Sequence, residues 1–352
     1  MKAIYHKYIL NFKRPSGTSR GIMNEKETWF IIIENEGKKG IGECGILRGL
    51  SIDDRPDYEA KLEWVCAYIH HGKDWLWEAL IEFPSIQFGV EMAFQSLDSE
   101  KPFLLFPSDF TKGLESIVIN GLVWMGEEAF MKQQIEEKLA DGFSCIKLKI
   151  GAIDFDKELQ LMRFIREHFS PEQVEIRVDA NGAFSEKLAL DKIIQLSEFK
   201  LHSIEQPIPK NSTDSMSELC KITPLPIALD EELIGVFTLA DKEQLLQKIK
   251  PQYIILKPSF IGGFRGTQDW ITLAEKYNIG WWITSALESN IGLNAIAQWT
   301  FLQHNSMPQG LGTGALYTNN FDCPLVVQKG QLWYENNLDW KFEIDSFQSQ
   351  NR

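Results

Sequence analysis

A polar residue recurs at nearly constant spacing through the middle of the chain, each time at the end of a short apolar run. Lys149 is followed after 30 residues by Asp179 and after another 26 by Glu205, and the next intervals are 25, 27 and 28 residues, to Asp230, Lys257 and Ser285. A strand and the helix that leads back to the next strand together take about 25 to 30 residues. The spacing therefore predicts consecutive βα units, each with a polar residue where its strand ends.

Repeated βα units can form an open doubly wound sheet or a closed barrel. The open sheet that binds dinucleotides carries a GxGxxG motif after its first strand, and no such motif occurs there. In a closed barrel the carboxyl ends of all strands meet at one face, where functional residues lie. Because the polar residue falls at the strand end in six consecutive units, we predict a (β/α)8-type (TIM-like) barrel in which residues 310–314 close the eighth strand.

The first hundred or so residues have a different pattern, with strands followed by helices. The apolar run 29–33 and the run 40–44 flank a polar turn and predict a β-hairpin. The small, polar and glycine-rich segment 14–21 predicts a loop. Helical spacing appears near residues 57–71 and 86–98. The run Ile117–Ile119 is the first of the recurring strands of the βα pattern, and we expect it to be the first strand of the barrel.

Composition and charge narrow the possible partners and compartment. The formal net charge of −13 argues against nucleic acid or an anionic membrane as a partner, because no basic face offsets it. Five scattered cysteines with no CxxC pair indicate buried thiols in a reducing compartment. No apolar run approaches the length of a membrane span, and the alternating start of the chain lacks the apolar core of a signal peptide. We therefore expect a soluble, cytoplasmic protein whose partner is a small molecule.

Three acids end three consecutive predicted strands: Asp179, Glu205 and Asp230. A closed barrel would bring them together, and carboxylates in such proximity repel one another unless a cation lies among them. Ligands that offer only oxygen atoms and negative charge suit Mg²⁺. The alternative interpretation is that each acid separately forms an ion pair or caps a helix.

Three lysines accompany these acids. Lys147 and Lys149 are two residues apart on one strand, so that both side chains point to the same face, and Lys257 ends a strand three units later. A solvated outer face is the alternative, but helices cover the outside of barrel strands. A lysine whose pKa is lowered by burial and nearby positive charge can remove a proton beside a carboxylate, if Mg²⁺ stabilises the second negative charge that forms. The set predicts a metal-dependent acid/base enzyme.

Five short motifs in this order resemble the signature of the enolase superfamily, in its muconate-lactonizing subgroup. They are Lys147-Leu148-Lys149, Asp179-Ala180-Asn181, Glu205-Gln206-Pro207, Asp230-Glu231 and Lys257-Pro258. The resemblance covers nearly the whole chain. It implies an α+β capping domain over residues 1–112, to which residues 318–352 return, around a catalytic barrel over residues 113–317. It also implies a Mg²⁺ cofactor held by Asp179, Glu205 and Asp230, with Mn²⁺ as an alternative metal.

Within this subgroup the chain is most similar to the o-succinylbenzoate synthases of menaquinone biosynthesis. The similarity lies in Arg177, in the runs 285–289 and 312–314, and in Ser19-Arg20-Gly21. It implies a lyase that dehydrates the cyclohexadiene carboxylate SHCHC with syn stereochemistry, through an enediolate, to 2-succinylbenzoate. In that reaction Lys149 would remove the α-proton and then protonate the departing hydroxyl. Lys257 would stabilise the enediolate from the opposite face, and Lys147 would lie beside the metal-bound carboxylate.

Other residues are expected to support the reaction. Asn181 and Glu231 would act around the metal or cap loops, and Arg177 would orient Lys149, meet a carboxylate or form a structural ion pair. The expected substrate-binding residues are Ser19, Arg20, Ser285, Ser289, Gly312 and Thr313. The segment around Ser19 and Arg20 would be a lid from the capping domain.

Two alternatives remain open at this point. The same metal triad and lysines also serve N-succinylamino acid racemases, dipeptide epimerases and cycloisomerases of the subgroup. Dipeptide epimerases carry an Asp-x-Asp motif in the last barrel strand, where this chain has Gly312-Thr313-Gly314. A barrel that binds a ligand without catalysis would be expected to lack one of the lysines or acids, and none is missing. The oligomeric state is not predicted.

Overall fold

The N-terminal part of the chain forms a three-stranded antiparallel sheet. A computed structural model describes residues 1–18, 21–342 and 344 of the protein. The strands are β1 (Lys2–Thr18), β2 (Gly21–Asn35) and β3 (Lys38–Gly45), in the order β1-β2-β3. Alternate residues of β2 point to opposite faces. Trp29 and Ile31 enter one apolar core, and Phe30 and Ile32 enter a second that continues into the rest of the molecule. The continuous apolar run is therefore explained by burial on both faces of the sheet.

Three helices follow this sheet. They are α1 (Tyr58–Tyr68), α2 (Lys73–Ala79) and α3 (Pro84–Asp98), so the two helices predicted near 57–71 and 86–98 are present. Of these, α1 and α3 pack on the strands of the sheet and α2 packs on α3. Pro84 lies in the first turn of α3, where its missing N–H removes no helical hydrogen bond. The α3 helix packs directly on β3, and a side chain at Gly42 would collide with the carbonyl oxygen of Gly89. Glycine at this position allows the close approach of helix and strand.

The loop predicted over residues 14–21 is wrong for most of its length. The β1 strand continues to Thr18 and β2 begins at Gly21, so that the hairpin keeps its ladder almost to the tip. An irregularity in the register between Asn11 and Ser16 accommodates the extra residues. Pairing with β2 therefore outweighs the low strand propensity of Ser16 and Gly17, whereas Pro15 lies in the irregularity, where proline is tolerated. The predicted lid residues Ser19 and Arg20 lie outside the described residues.

The middle of the chain forms an α/β barrel-type fold around a seven-stranded parallel sheet. Its strands, in spatial as well as chain order, are β5 (Gly121–Val123), β6 (Cys145–Lys149), β7 (Glu175–Asp179), β8 (Ser203–Glu205), β9 (Ile227–Leu229), β10 (Tyr253–Leu256) and β11 (Gly280–Ile283). Single bridges between Thr284 and Gly310, and between Ile119 and Gln309, join the two edges of this sheet. The eighth position of the barrel is thus filled by bridges rather than by a regular strand.

Helices follow the parallel strands. They are α4 (Glu128–Ala140), α5 (Phe155–His168), α6 (Glu186–Ser197), α7 (Thr213–Ile222), α8 (Leu239–Ile249), α9 (Pro258–Ile261), α10 (Gly263–Lys276) and α11 (Asn290–Phe301). Within the described ranges, no helix has the length and apolar character needed to cross a membrane.

The first barrel strand is not the predicted one. Ile117–Val118 forms β4, which pairs with β13 (Gln331–Tyr334) of a hairpin whose other strand is β12 (Leu325–Gln328). The barrel instead begins at β5, whose Leu122 lies in register with Lys147. The apolar run was recognised correctly as a strand, but its partner lies more than two hundred residues away and carries no local signal.

After the barrel, the chain returns to the N-terminal sheet. Asn319 accepts a hydrogen bond from the N–H of Asn11 at 2.8 Å and donates one to the carbonyl of Ile9 at 2.7 Å. The N–H of Lys13 donates to the carbonyl of Leu316 at 2.8 Å. The outer edge of β1 is therefore covered by this segment between Ile9 and Lys13.

Candidate active site

The register of the parallel strands brings the predicted polar residues together. Lys149 pairs in register with Asp179, and Asp179 with Glu205, so their side chains leave neighbouring strands at the same level. The buried ammonium of Lys147 contacts Oε2 of Glu205 and lies 3.0 Å from Oδ2 of Asp179. This arrangement follows directly from the in-phase spacing of the βα units.

The other two lysines also contact acids of the cluster. Nζ of Lys149 lies 2.9 Å from Oδ2 of Asp179 and donates to Oδ1 of Asn181 at 2.7 Å. Nζ of Lys257 contacts Oδ2 of Asp230. Lys147, Lys149, Asp179 and Lys257 all line one cavity. The contacts form two groups, Lys147 and Lys149 with Asp179 and Glu205, and Lys257 with Asp230. The charge of Asp230 also acts on Lys147 and Glu205, which links the two groups into one charged network.

Burial and mutual charge shift the pKa values of this network strongly. Burial lowers the pKa of Lys147, but attraction to Asp179, Glu205 and Asp230 outweighs it and leaves that pKa well above its usual range. Burial and the neighbouring Asp179 raise the pKa of Glu205 well above normal. The two nearby lysines overcome burial and keep the pKa of Asp179 below its ordinary value. The lysines therefore do not fully compensate the negative charge that the acids of the cluster would carry if all of them were ionised.

We tested whether these acids suit a divalent metal. Across residues 1–18, 21–342 and 344, no group of three or more histidine, cysteine, aspartate or glutamate side chains has an arrangement that could hold a metal ion. Lysine ammonium groups contact the acids instead. Oε1 of Glu205, however, is buried and accepts no hydrogen bond from the described part of the protein. Three carboxylates with such an open oxygen fit a hard cation such as Mg²⁺, provided that they exchange lysine partners for the ion.

Asn181 links the lysine side of the cluster to a further acid. Its Oδ1 accepts from Lys149, and its Nδ2 donates to Oε1 of Glu231 at 3.0 Å. Its backbone has φ +45°, in the left-handed region, and its N–H donates to Oδ1 of Asp179 at 3.0 Å. Asn181 therefore contacts Lys149 and Asp179 of the network, and Glu231 contacts Asn181. These three hydrogen bonds fix Asn181.

Arg177 lies within the barrel, away from the amine of Lys149. Its Nε donates to Glu175 at 2.7 Å, its Nη1 donates to the carbonyl of Pro308 at 2.9 Å, and its guanidinium lies 4.1 Å from the ring centre of Trp282. Of the roles considered for Arg177, this geometry matches a structural ion pair.

The cavity at the end of the barrel has a volume of about 290 Å³. Three of the predicted substrate-binding residues line it, namely Ser285, Gly312 and Thr313, and Thr313 donates to the hydroxyl of Ser285 at 2.9 Å. Ser289 is not among the lining residues. Its hydroxyl is buried and donates to Glu43 at 2.6 Å. Ser19 and Arg20 are not described.

Further residues of the cavity wall were not predicted. From the barrel they include Asn120, Leu122 and Trp124, and from the N-terminal region they include Met23, Leu47, Arg48 and Leu50. Residues 120, 122 and 124 lie at every second position, as residues on one face of a strand do. The prediction of the first barrel strand at 117–119 left this pattern unrecognised. Residues 47–50 lie in a turn and carry no periodic signal.

Comparison with known proteins agrees with this architecture. Residues 130–337 match the family model described as Enolase C-terminal domain-like. The chain is 48% identical to an o-succinylbenzoate synthase of Desulfotalea psychrophila, over 94% of this chain and 98% of that protein.

Solved structures agree as well. The crystal structure of MenC from Desulfotalea psychrophila superposes with a TM-score of 0.84 at 44% identity, covering 95% of this chain and 99% of that one. Muconate lactonizing enzyme from Pseudomonas fluorescens has the same fold, with a TM-score of 0.82 at 22% identity and 98% coverage of both chains. The chain therefore belongs to the enolase superfamily and, within it, to the family of o-succinylbenzoate synthases.

Proposed function

We propose that this protein is an o-succinylbenzoate synthase, a lyase that dehydrates SHCHC to 2-succinylbenzoate in menaquinone biosynthesis. The observation that carries the proposal is the pair of amines, Lys149 and Lys257, lining one cavity beside buried acids. A base on one side and a cation on the other are what removal of a proton beside a carboxylate requires. The 48% identity to a synthase over nearly the full length supports the same reaction.

In this proposal Asp179, Glu205 and Asp230 hold Mg²⁺. A bound Mg²⁺ ion would act as a Lewis acid on the substrate carboxylate, worth several kcal/mol of charge stabilisation. Mn²⁺ offers similar chemistry and is an alternative. The supporting observation is the donor set itself, which consists of carboxylates that include a buried oxygen without a hydrogen-bond partner in the described ranges.

The chain's own residues would carry the proton. Lys149, as the free amine, would take the α-proton while Oδ1 of Asn181 accepts a hydrogen bond from it and fixes its direction. The C–O bond to the hydroxyl would then break, and the ammonium of Lys149 would return the proton to the departing oxygen as water. Lys257 would stabilise the negative charge that develops on the substrate, and Lys147 would contribute positive charge beside Lys149.

We also propose the domain division made from the resemblance, with a capping domain over residues 1–112 and 318–352 and a (β/α)8-type barrel over 113–317. The hydrogen bonds of Asn319 with Asn11 and Ile9 support a cap built from both ends of the chain. The cavity wall supports it too, because Met23 and Leu47 lie beside barrel residues there.

Racemisation of N-succinylamino acids is the second candidate. It is favoured by the same two lysines, because racemisation needs one amine to remove a proton and another to return it on the opposite face. Purified protein with Mg²⁺ should therefore be assayed with SHCHC and with N-succinylamino acids, following 2-succinylbenzoate by chromatography and racemisation by polarimetry. Turnover of N-succinylamino acids without any turnover of SHCHC would overturn the proposed dehydration.

A further inference from the structure

Glu43 is a buried carboxylate that links β3 of the N-terminal sheet to a helix of the barrel. On the side of the sheet, the hydroxyl of Thr28 donates to its Oε1 at 2.9 Å. On the side of the barrel, the N–H of Ser289 donates to Oε1 at 2.9 Å, and the hydroxyl of Ser289 and the N–H of Gly292 donate to Oε2 at 2.6 and 2.8 Å. A carboxylate at the first turn of a helix is favoured by the free N–H groups there. Glu43 therefore fixes the start of α11 from another part of the fold.

The segment just before α11 forms part of the cavity wall. Ser285, Ala286 and Leu287 line the cavity, whereas Glu43 does not. Leu287 has φ +63°, a left-handed conformation that is strained for a residue with a side chain. Such a conformation persists only where neighbouring groups hold it. The wall segment thus depends on contacts from outside itself.

Contacts hold this segment from several directions. The N–H of Leu287 donates to the hydroxyl of Ser285 at 3.0 Å, and the carbonyl of Leu287 accepts from the hydroxyl of Tyr317 at 2.7 Å. The hydroxyl of Ser259, two residues after Lys257, donates to Glu288 at 2.6 Å. Glu43 then holds Ser289, two residues beyond Leu287. Of these partners, Glu43 is the one contributed by the N-terminal sheet.

We propose that Glu43 is a positioning residue that sets substrate affinity without touching the substrate. It holds the start of α11 and thereby the shape of the strained wall segment 285–287. Within this proposal the hydroxyl of Ser285 in that wall binds the carboxylate of the succinyl arm, because Lys149 and Lys257 serve the carboxylate beside which the proton is removed. The identity of the ligand rests on the proposed function, whereas the coupling between Glu43 and the wall rests on the hydrogen bonds alone. Ser289 has a role in this proposal as the residue through which Glu43 restrains the wall segment.

The Glu43→Gln variant tests this proposal. The amide replaces one acceptor oxygen with a donor, which cannot accept from the N–H or hydroxyl groups at the start of α11. Small displacements of positioning groups can cost up to about a hundredfold, so we expect KM for SHCHC and Kd for 2-succinylbenzoate to rise about tenfold or more. We expect kcat to change less than about threefold, because the lysines stay in place. The Kd of benzoate, which lacks the succinyl arm, should change little.

Thr28→Val is the matched control. It removes one hydrogen bond to the same buried carboxylate, but leaves the contacts of Glu43 with Ser289 and Gly292. Tm should fall in both variants, and KM should rise only in Glu43→Gln. If both variants lose stability while KM and both Kd values stay unchanged, the positioning role is overturned. Equal weakening of benzoate and 2-succinylbenzoate would also overturn it.

Two further experiments keep the test decisive. If Glu43→Gln does not fold, Ser289→Ala is the alternative variant, which removes the hydroxyl that donates to Glu43 and accepts from the N–H of Ile291 at 3.1 Å. It should weaken 2-succinylbenzoate relative to benzoate in the same direction, and an unchanged ratio would overturn the proposal. Wild-type turnover of SHCHC tests the proposed function by itself. If wild type turned over only N-succinylamino acids, the same comparison with that substrate, which carries the same succinyl arm, would still decide the role of Glu43.

Discussion

The ammonium groups of Lys147 and Lys149 contact the same atom, Oδ2 of Asp179, at 3.0 and 2.9 Å. Two positive charges therefore face one negative charge at the floor of the cavity. Glu205 balances part of this charge through its contact with Lys147. Because both ammonium groups are largely buried, each interacts with a substrate carboxylate more strongly than a surface lysine could. A chain with a net charge of −13 thus has a local site for a carboxylate.

Lys149→Ala should abolish turnover and leave the fold intact. A positioned general base contributes about 10²- to 10⁴-fold to a rate, and Lys147 remains as a partner for Asp179. The measurements are kcat for SHCHC and the circular dichroism spectrum. Lys149→Arg is the control that keeps the charge without a group able to act as a base. Appreciable kcat in either variant would rule out Lys149 as the base.

Removal of divalent metal should remove activity, and Mg²⁺ should restore it, because the proposed reaction places a second negative charge on a carboxylate. Binding should also be visible without turnover: Mg²⁺ at about 100 times its Kd stabilises a protein by about 2.7 kcal/mol. The rise in Tm should be lost in Asp230→Asn. Activity that survives thorough chelation would eliminate the metal's role.

Arg177→Met should lower stability more than activity. The substitution removes hydrogen bonds to Glu175 and Pro308 and a contact with Trp282, for a loss of about 2 kcal/mol or more. Urea unfolding gives the change in free energy, and kcat is measured well below the unfolding transition. A kcat reduced more than about tenfold with unchanged unfolding would instead favour a role for Arg177 in orienting Lys149.

Glu91 should make the protein less stable as the pH rises. This residue of α3 accepts hydrogen bonds from the N–H groups of Phe264 and Arg265, and burial raises its pKa to about 7 despite them. The folded state therefore holds a proton that the unfolded chain releases near pH 4.5. The resulting stabilisation is complete below about pH 4.5 and is lost as the pH rises through about 7, and its size is on the order of 3 kcal/mol.

Glu91→Gln should flatten this dependence, as measured by the free energy of unfolding between pH 5 and 7.5. Buried Asp53 and Glu158 titrate in a similar range, so the comparison is between the variant and wild type. Glu78→Gln, at an exposed position whose carboxylate pairs with Arg265, is the control. A variant with the same pH dependence as wild type would contradict the assignment to Glu91.

The assembly of the site could be predicted because residues that end consecutive parallel strands become neighbours in the sheet. Lys149, Asp179 and Glu205 end strands that pair one to one, so equal spacing along the chain becomes adjacency across the sheet. The same logic failed for Ile117 and Val118, since β4 pairs with a hairpin near the other end of the chain.

Ser289 illustrates what a local pattern cannot reveal. The resemblance of the run 285–289 to o-succinylbenzoate synthases predicts that Ser289 binds substrate, yet its hydroxyl donates to Glu43, 246 residues away in the chain. The loop prediction over 14–18 failed for a related reason, because pairing with β2 decides the conformation there and propensity does not.

The contact between Asn11 and Asn319 spans 308 residues, so the edge of the first strand stays uncovered during synthesis until the segment around Asn319 is made. Until that segment leaves the ribosome, β1 offers unpaired backbone groups to any other chain nearby. The nascent protein is therefore exposed to aggregation from the synthesis of β1 until residues 316–319 have been made, and truncation before Leu316 should release a chain that chaperones retain.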